Sequence, residues 1–165
     1  MKTRKKVGII CGSFDLIHAG YIRMFRDAKE NACKKLIVAL QSDPTIDRPD
    51  KNACVQPVNE RLEILESISY VDEILLYDTE DSLYELLDRI EYDVRVLGTD
   101  YEGKNYTGKE IDPSVYYHHR DHEISTSDLK KRIYESVKNK NRLKNSYSLA
   151  DLDMRDRHLN SGKSK

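Results

Sequence analysis

Residues 11–21 read CGSFDLIHAGY and lie between two stretches of different hydrophobic pattern. The four residues before them, Val7-Gly8-Ile9-Ile10, form a short apolar run that is typical of a buried strand. The residues after them place Ile22, Phe25 and Ala28 at helical spacing. Residues 11–21 are therefore predicted to turn the chain from a buried strand into a helix.

A strand-to-helix turn suits an anion, because its backbone N–H groups and the positive end of the helix dipole point at one spot. Gly12 lets the backbone approach a ligand closely, and Gly20 does the same one turn into the helix. His18 is placed at the mouth of the turn, where a ring N–H can donate to phosphate. Small-residue turns also occur in doubly wound domains that bind nothing there, so the turn alone leaves phosphate binding open.

Composition excludes several classes of protein. The chain has 165 residues, which is typical of one domain with one core. Its net charge of −1 gives no basic field for nucleic acid, and no apolar run approaches the roughly 20 residues that span a membrane. Cys11, Cys33 and Cys54 lack the spacing of metal ligands, so we expect free thiols in a reducing cytoplasm and no protein-held metal.

Apolar runs alternate with helical patterns along the rest of the chain. The further runs predict strands at residues 36–40, 71–77, 94–97 and 115–117. Five short strands alternating with helices predict an α/β fold, a Rossmann-like doubly wound domain with a five-stranded parallel sheet. Ligands bind such sheets at the carboxyl ends of the strands, near the switch in strand order. The polar segments 12–21, 42–51, 98–104 and 120–126 are all predicted to lie there.

The apolar pattern fades after Val137. Residues 138–165 carry eight Lys or Arg against three Asp and few large apolar residues. We therefore predict one domain over residues 1–140, followed by a polar, basic and partly disordered tail over residues 141–165. The tail either contacts an anionic partner or only makes the chain more soluble.

Four segments of the chain together resemble the HxGH-type nucleotidyltransferase family. Gly12-Ser13-Phe14-Asp15 followed by His18-Ala19-Gly20-Tyr21 resembles the signature G-[ST]-F-D-x-x-H-x-G-H, with Tyr21 at the second histidine. Residues 70–74 resemble the cytidylyltransferase segment RYVDEV, residues 97–104 resemble MGDDWEGK, and residues 120–126 resemble RTEGIST. These segments occur in the family's order and extend over roughly residues 7–137.

The resemblance is greatest to the glycerol-3-phosphate cytidylyltransferases, through Glu102-Gly103-Lys104. It implies transfer of CMP from CTP to a small phosphorylated alcohol such as glycerol 3-phosphate, with release of pyrophosphate. Residues 43–49 and 99–101 also resemble the heptose-phosphate adenylyltransferases, so adenylyl transfer to a sugar phosphate is an alternative. A catalytically weak nucleotide-binding protein is another. The family implies Mg²⁺ held largely by the nucleotide's phosphates and water, and a homodimer with residues 70–74 as a candidate contact.

The matching motifs imply roles for particular residues. The implied catalytic residues, which donate to or close over the phosphates, are His18, Tyr21, Arg48, Lys51 and Arg120. The implied nucleotide-binding residues are Gly12, Ser13, Phe14, Asp15, Gly20, Gly98, Asp100, Ser125 and Thr126. Backbone N–H groups of Ser13 and Phe14 would cradle the triphosphate, and Asp100 would recognise the ribose or base. Simpler roles stay open for four of them: a surface ion pair for Arg120, a helix cap for Ser125 and Thr126, and a turn for Asp100.

Tyr21 changes the chemistry at the motif's second histidine. A histidine can be cationic, whereas a tyrosine, with a reference pKa of about 10, stays neutral and offers only a hydroxyl. Three outcomes are open at this stage. The hydroxyl reaches the same phosphate oxygen, a histidine among His118, His119 and His122 takes its place, or the protein binds nucleotide without turning it over.

Overall fold

The computed structural model describes residues 4–120 and 122–140. Within them lie the strands β1 (Val7–Gly12), β2 (Lys35–Gln41), β3 (Glu73–Tyr77), β4 (Val94–Gly98) and β5 (Val115–His118). They form one parallel sheet in the order β3-β2-β1-β4-β5. The predicted doubly wound α/β domain is thereby confirmed, and the strand order switches between β1 and β4.

Helices connect the strands. These are α1 (Ala19–Asp27), which continues into a π-helical turn over Ala28–Ala32, α2 (Val58–Glu66) and α3 (Glu80–Arg89). A single 3-10 turn, Thr99–Tyr101, follows β4. Helical residues also cover 126–140. The chain divides into two compact units after Thr126, and the predicted tail at residues 141–165 lies outside the described residues.

Hydrophobic side chains fill both faces of the sheet. One face is covered by a cluster that includes Phe25 and Leu65, and the other by a cluster that includes Leu83 and Leu87. The central strands carry mainly apolar residues because each is buried on both faces; the exceptions are Lys35 and Gln41 at the ends of β2 and the buried Arg95 in β4. β3 is an edge strand, and its Leu76 is 54% exposed.

Asp27, the last residue of α1, fastens that helix to β5. Its carboxylate lies 2.6 Å from Nδ1 of His118 and accepts a hydrogen bond from the hydroxyl of Tyr116 at 2.9 Å. Burial raises the pKa of Asp27, but hydrogen bonds from His118, Asn31 and Tyr116 outweigh it and leave the pKa below its ordinary value. This contact fixes the strand end from which residues 119–126 continue.

Arg61, on α2, is 1% exposed and joins the loops that follow β1 and β2. Its guanidinium donates to the carbonyl oxygens of Ser13 at 2.6 Å, Gln41 at 2.7 Å and Ser42. Its Nε donates to the carbonyl oxygen of Gln56 at 3.0 Å. Arginine suits this place because its rigid, planar group carries five N–H donors. Two loops at the carboxyl edge are thus held by one side chain.

We predict that Arg61→Met destabilises the fold by about 3 kcal/mol, because four carbonyl groups that contact the buried guanidinium lose their donor. Equilibrium urea unfolding followed by circular dichroism measures the loss. Arg89→Met is the matched control, since Arg89 is exposed and its Nε donates within its own helix, to the carbonyl of Glu85. Equal unfolding midpoints for the two variants would show that Arg61 does not stabilise these loops.

Candidate functional site

The turn after β1 has an unusual backbone. Phe14 and Leu16 both have positive φ angles, 48° and 50°, a region that bulky residues rarely adopt. The ring of Phe14 is buried and packs at 5.3 Å from the ring of Tyr21 and 5.7 Å from that of Phe25. This burial offsets the backbone strain and fixes the start of α1.

The carboxylate of Asp15 is buried within this turn. It accepts hydrogen bonds from the backbone N–H groups of Val55 and Gln56, each at 3.0 Å. The side-chain oxygen of Gln56 in turn accepts from the N–H of Leu16 at 3.0 Å. Asp15 therefore fastens the loop that leads into α2. Its predicted contact with nucleotide stays a prediction, and these bonds give it a structural role in shaping the turn.

His18 is the N-cap residue of α1. Its Nδ1 accepts a hydrogen bond from the backbone N–H of Gly20 at 3.1 Å. A neutral imidazole whose Nδ1 accepts must carry its proton on Nε2. Burial, with the neighbouring His122 and Arg120, lowers the pKa of His18 below its ordinary value of 6.5. Near pH 7, His18 is thus a neutral ring with an Nε2–H donor.

Tyr21 lies against His18, with ring centroids 4.5 Å apart and planes inclined by 23°. Its hydroxyl is 3.4 Å from Oγ1 of Thr126, and the hydroxyl of Thr126 donates to the carbonyl of Asp15 at 3.0 Å. Burial raises the pKa of Tyr21. The tyrosine is a neutral group held between its neighbours, and its ring supports the imidazole of His18.

Two glycines make room for the side chains at this edge. A Cβ atom on Gly20 would lie 2.7 Å from Cε1 of His122 and 2.9 Å from Cε1 of His18, too close for either ring to stay. A Cβ atom on Gly98 would collide with the carboxylate of Asp100 and lie 3.7 Å from Cδ of Arg120. Residues that follow β1, β4 and β5 therefore meet here. We call His18, Gly20, Tyr21, Arg120, His122 and Thr126 the His18 cluster.

Arg48 and Lys51 contact residues outside the His18 cluster. The guanidinium of Arg48 donates to the side-chain oxygen of Gln41 at 2.8 Å and lies 3.0 Å from the carboxylate of Glu80. Lys51 is exposed, and its backbone N–H donates to the carbonyl of Arg48 at 2.9 Å. The expectation that these residues close over the phosphates stays a prediction.

The remaining predicted binding residues line the same edge of the sheet. Gly12 is the last residue of β1, Ser13 follows it with its carbonyl held by Arg61, and half-buried Ser125 directly precedes the helical residues 126–140. Arg120 is exposed and donates to the carbonyl of Ile124 at 3.1 Å. The contacts of these residues with nucleotide stay predictions.

The sequence pattern did not single out Arg61, because a lone arginine on an amphipathic helix is ordinarily solvated. It named His122 only as one of three histidines that could replace the motif's second. Over residues 4–120 and 122–140, no group of three His, Cys, Asp or Glu side chains could hold a metal ion. In the same residues no helix is both long and apolar enough to cross a membrane.

Comparison with known proteins fits this geometry. A family model described as cytidylyltransferase-like matches residues 9–132, which include most of β1 and all of the other four strands. The chain belongs to the cytidylyltransferase-like family. This is a family of nucleotidyltransferase enzymes. The family match covers the His18 cluster in full.

Curated relatives of this cytidylyltransferase-like chain include the bifunctional protein HldE of Campylobacter curvus, 34% identical over 140 residues, which cover 83% of this chain and 29% of that protein. HldE of Wolinella succinogenes is 37% identical over 111 residues, 65% of this chain and 22% of that protein. The chain thus spans less than a third of the length of these relatives. The lipopolysaccharide core biosynthesis protein of Thermoplasma volcanium GSS1 shares the fold, with a TM-score of 0.59, 20% identity and coverage of 72% of this chain and 100% of that one.

We predict that Gly20→Ala displaces both imidazoles while the sheet stays folded, because the new methyl group lies within 3 Å of each ring. Nucleotide affinity should fall about tenfold or more, in line with the loss of a well-placed donor. Calorimetric titration with ATP measures the affinity, and the thermal midpoint reports on the fold. Unchanged affinity in a folded variant would contradict the packing described for Gly20.

We predict that His18 titrates below 6.5 in the folded protein. The unfolded chain binds this proton more readily than the folded protein does. The contribution of His18 to the free energy of unfolding is therefore complete above its ordinary pKa, and it is lost as the pH falls through the pKa of the folded protein. Imidazole proton shifts recorded by NMR over a pH series measure the midpoint. Arg120→Met should move it upward by removing a neighbouring positive charge, and Arg89→Met should not; an unmoved midpoint in Arg120→Met would count against the cluster.

Proposed function

We propose that the chain transfers an adenylyl group from ATP to a sugar phosphate and releases pyrophosphate. The HldE relatives favour this alternative over transfer of CMP to glycerol 3-phosphate. The resemblance of residues 43–49 and 99–101 to the heptose-phosphate adenylyltransferases points the same way. The nucleotide and the acceptor therefore change from the sequence-based expectation, while the reaction class does not.

One observation carries the proposal: an Nε2–H donor of fixed tautomer, His18, and an arginine, Arg120, both lie in segments that follow the carboxyl ends of strands. His18 is oriented by the N–H of Gly20, and Arg120 is close enough to lower the pKa of His18. The first N–H groups of α1 point to the same place with the positive end of the helix dipole. Such a set of donors and cations fits a polyphosphate better than a neutral ligand.

The proposed reaction needs these donors and no protein nucleophile. An oxygen of the acceptor phosphate forms a bond to the α-phosphorus of ATP, the bond to the bridging oxygen breaks, and its electron pair leaves with pyrophosphate. A phosphomonoester is largely ionised near pH 7, so no base has to remove a proton. The protein's part is to hold two polyanions in line and to stabilise the charge that builds on the leaving group.

Mg²⁺ is proposed to arrive with the nucleotide. The carboxylate of Asp15 is already occupied by the N–H groups of Val55 and Gln56, and Asp100 is exposed beside Arg120. This donor set fits an ion held mainly by phosphate oxygens and water. The homodimer implied by the family also stays a prediction; in the candidate segment, the hydroxyl of Tyr70 accepts a hydrogen bond from Arg26 at 3.1 Å.

A pyrophosphate-release assay tests the function. Each of ATP and CTP is paired with a panel of sugar phosphates and with glycerol 3-phosphate. We expect release with ATP and at least one sugar phosphate, at a rate about tenfold or more above any CTP pair. A preference for CTP with glycerol 3-phosphate would restore the sequence-based expectation, and nucleotide binding without release from any pair would identify a catalytically weak binding protein.

His18→Asn separates catalysis from binding in the same assay. The variant should lose turnover by about 100-fold, because an oriented donor to the transition state is removed, while ATP affinity falls by only about tenfold. His119→Ala is the control, since His119 is an exposed histidine beside Arg120. Equal turnover in His18→Asn and the wild type would exclude His18 from the reaction.

A further inference from the structure

We propose that His122 is the second imidazole donor of the phosphate site. It takes the place of the second histidine of the family motif, a position that is Tyr21 in this chain. The inference rests on the proposed nucleotidyl transfer and deepens it by naming a further catalytic residue. It starts from the unusual proximity of two histidines that are far apart in the sequence.

The imidazole rings of His18 and His122 both lie against Gly20. Cε1 of His122 and Cε1 of His18 both lie within 3 Å of the point where Gly20 would carry a Cβ atom. Gly20 is buried, and it is the residue whose N–H orients His18. The absence of a side chain at position 20 is therefore what allows both rings to reach the start of α1.

The two rings also share one hydrogen-bonding pattern. Nδ1 of His122 accepts from the backbone N–H of Ile124 at 3.2 Å, as Nδ1 of His18 accepts from Gly20. In each neutral ring the proton must then be on Nε2. Nε2 of His122 is shielded from solvent and has no hydrogen-bond partner in the described part of the chain. A buried N–H without an acceptor is costly, so such a group calls for an explanation, and a bound phosphate oxygen supplies one.

Tyr21 is less suited to this role. Its hydroxyl is directed at Thr126 and its ring lies on His18, so it acts as a positioning residue. Among the other candidates, His118 has Nδ1 engaged by Asp27 at 2.6 Å, at the far end of α1 from His18, and His119 is exposed. His122, by contrast, lies against Gly20, beside the ring of His18.

The chemical step is the one proposed above. As the bond between the α-phosphorus and the bridging oxygen breaks, negative charge builds on the leaving pyrophosphate. The Nε2–H of His122 donates a hydrogen bond to that charge, next to the donor of His18, and no proton has to be transferred.

The decisive variants are His122→Ala, His122→Gln, Tyr21→Phe and the double variant Tyr21→His/His122→Ala, with His119→Ala as control. We expect His122→Ala to lower kcat of pyrophosphate release by about 100-fold. His122→Gln, which keeps an N–H near the position of Nε2, should retain about tenfold more activity than His122→Ala. The double variant should recover about tenfold of the lost rate by restoring an imidazole at position 21.

Three results would overturn the proposal: wild-type kcat in a folded His122→Ala variant, a larger loss in Tyr21→Phe than in His122→Ala, or no recovery in either rescue variant. Thermal midpoints show which variants are folded. If the wild type releases no pyrophosphate from any pair, the proposed function fails by itself. Titration with a non-hydrolysable ATP analogue then decides on His122: weaker binding by about tenfold in His122→Ala, but not in His119→Ala, supports the contact, and equal binding refutes it.

Discussion

The buried guanidinium of Arg61 is the contact on which the carboxyl edge of the sheet depends. Parallel strands end with carbonyl groups that have no strand partner, and the loops after β1 and β2 both turn such groups inward. One arginine satisfies them, with acceptors at Ser13, Gln41, Ser42 and Gln56. A lysine could not, because its donors do not spread over a plane. The charge is placed among carbonyl dipoles, which stabilise a buried cation.

The strained turn at Phe14 follows from this contact. With Ser13 held by Arg61 and Asp15 held by Val55 and Gln56, the backbone between them has little freedom. Phe14 adopts a positive φ, and the burial of its ring against Phe25 offsets the strain of that conformation. The turn is thus rigid before any ligand arrives. A rigid turn lets the first N–H groups of α1 and the ring of His18 keep their positions without further loss of entropy on binding.

The sequence pattern predicts the strands of the sheet, but it does not predict the contacts that shape the carboxyl edge of the sheet. Runs such as residues 36–40 are apolar throughout because they are buried on both faces, so their periodicity identifies them. Arg61 occupies one polar position on an amphipathic helix, where the pattern gives no sign of burial. The motif predicts a nucleotide contact for Asp15, which stays a prediction, but it gives no sign that the N–H groups of Val55 and Gln56 bind the Asp15 carboxylate. Such bonds form between segments about 40 residues apart, and local pattern carries no information on them.

The same limit explains the departure at Tyr21. A motif assigns two donors to positions three residues apart on one helix, and a tyrosine at the second position then suggests a missing donor. In the folded protein, a residue from the segment that follows another strand can place its donor at the same site. His122 does so only because residue 20 has no side chain, so the glycine within the motif matters as much as the histidine that precedes it. Because His122, which follows β5, supplies the second imidazole, the residue at position 21 does not have to donate to phosphate. The ring of Tyr21 instead packs between His18 and Phe14.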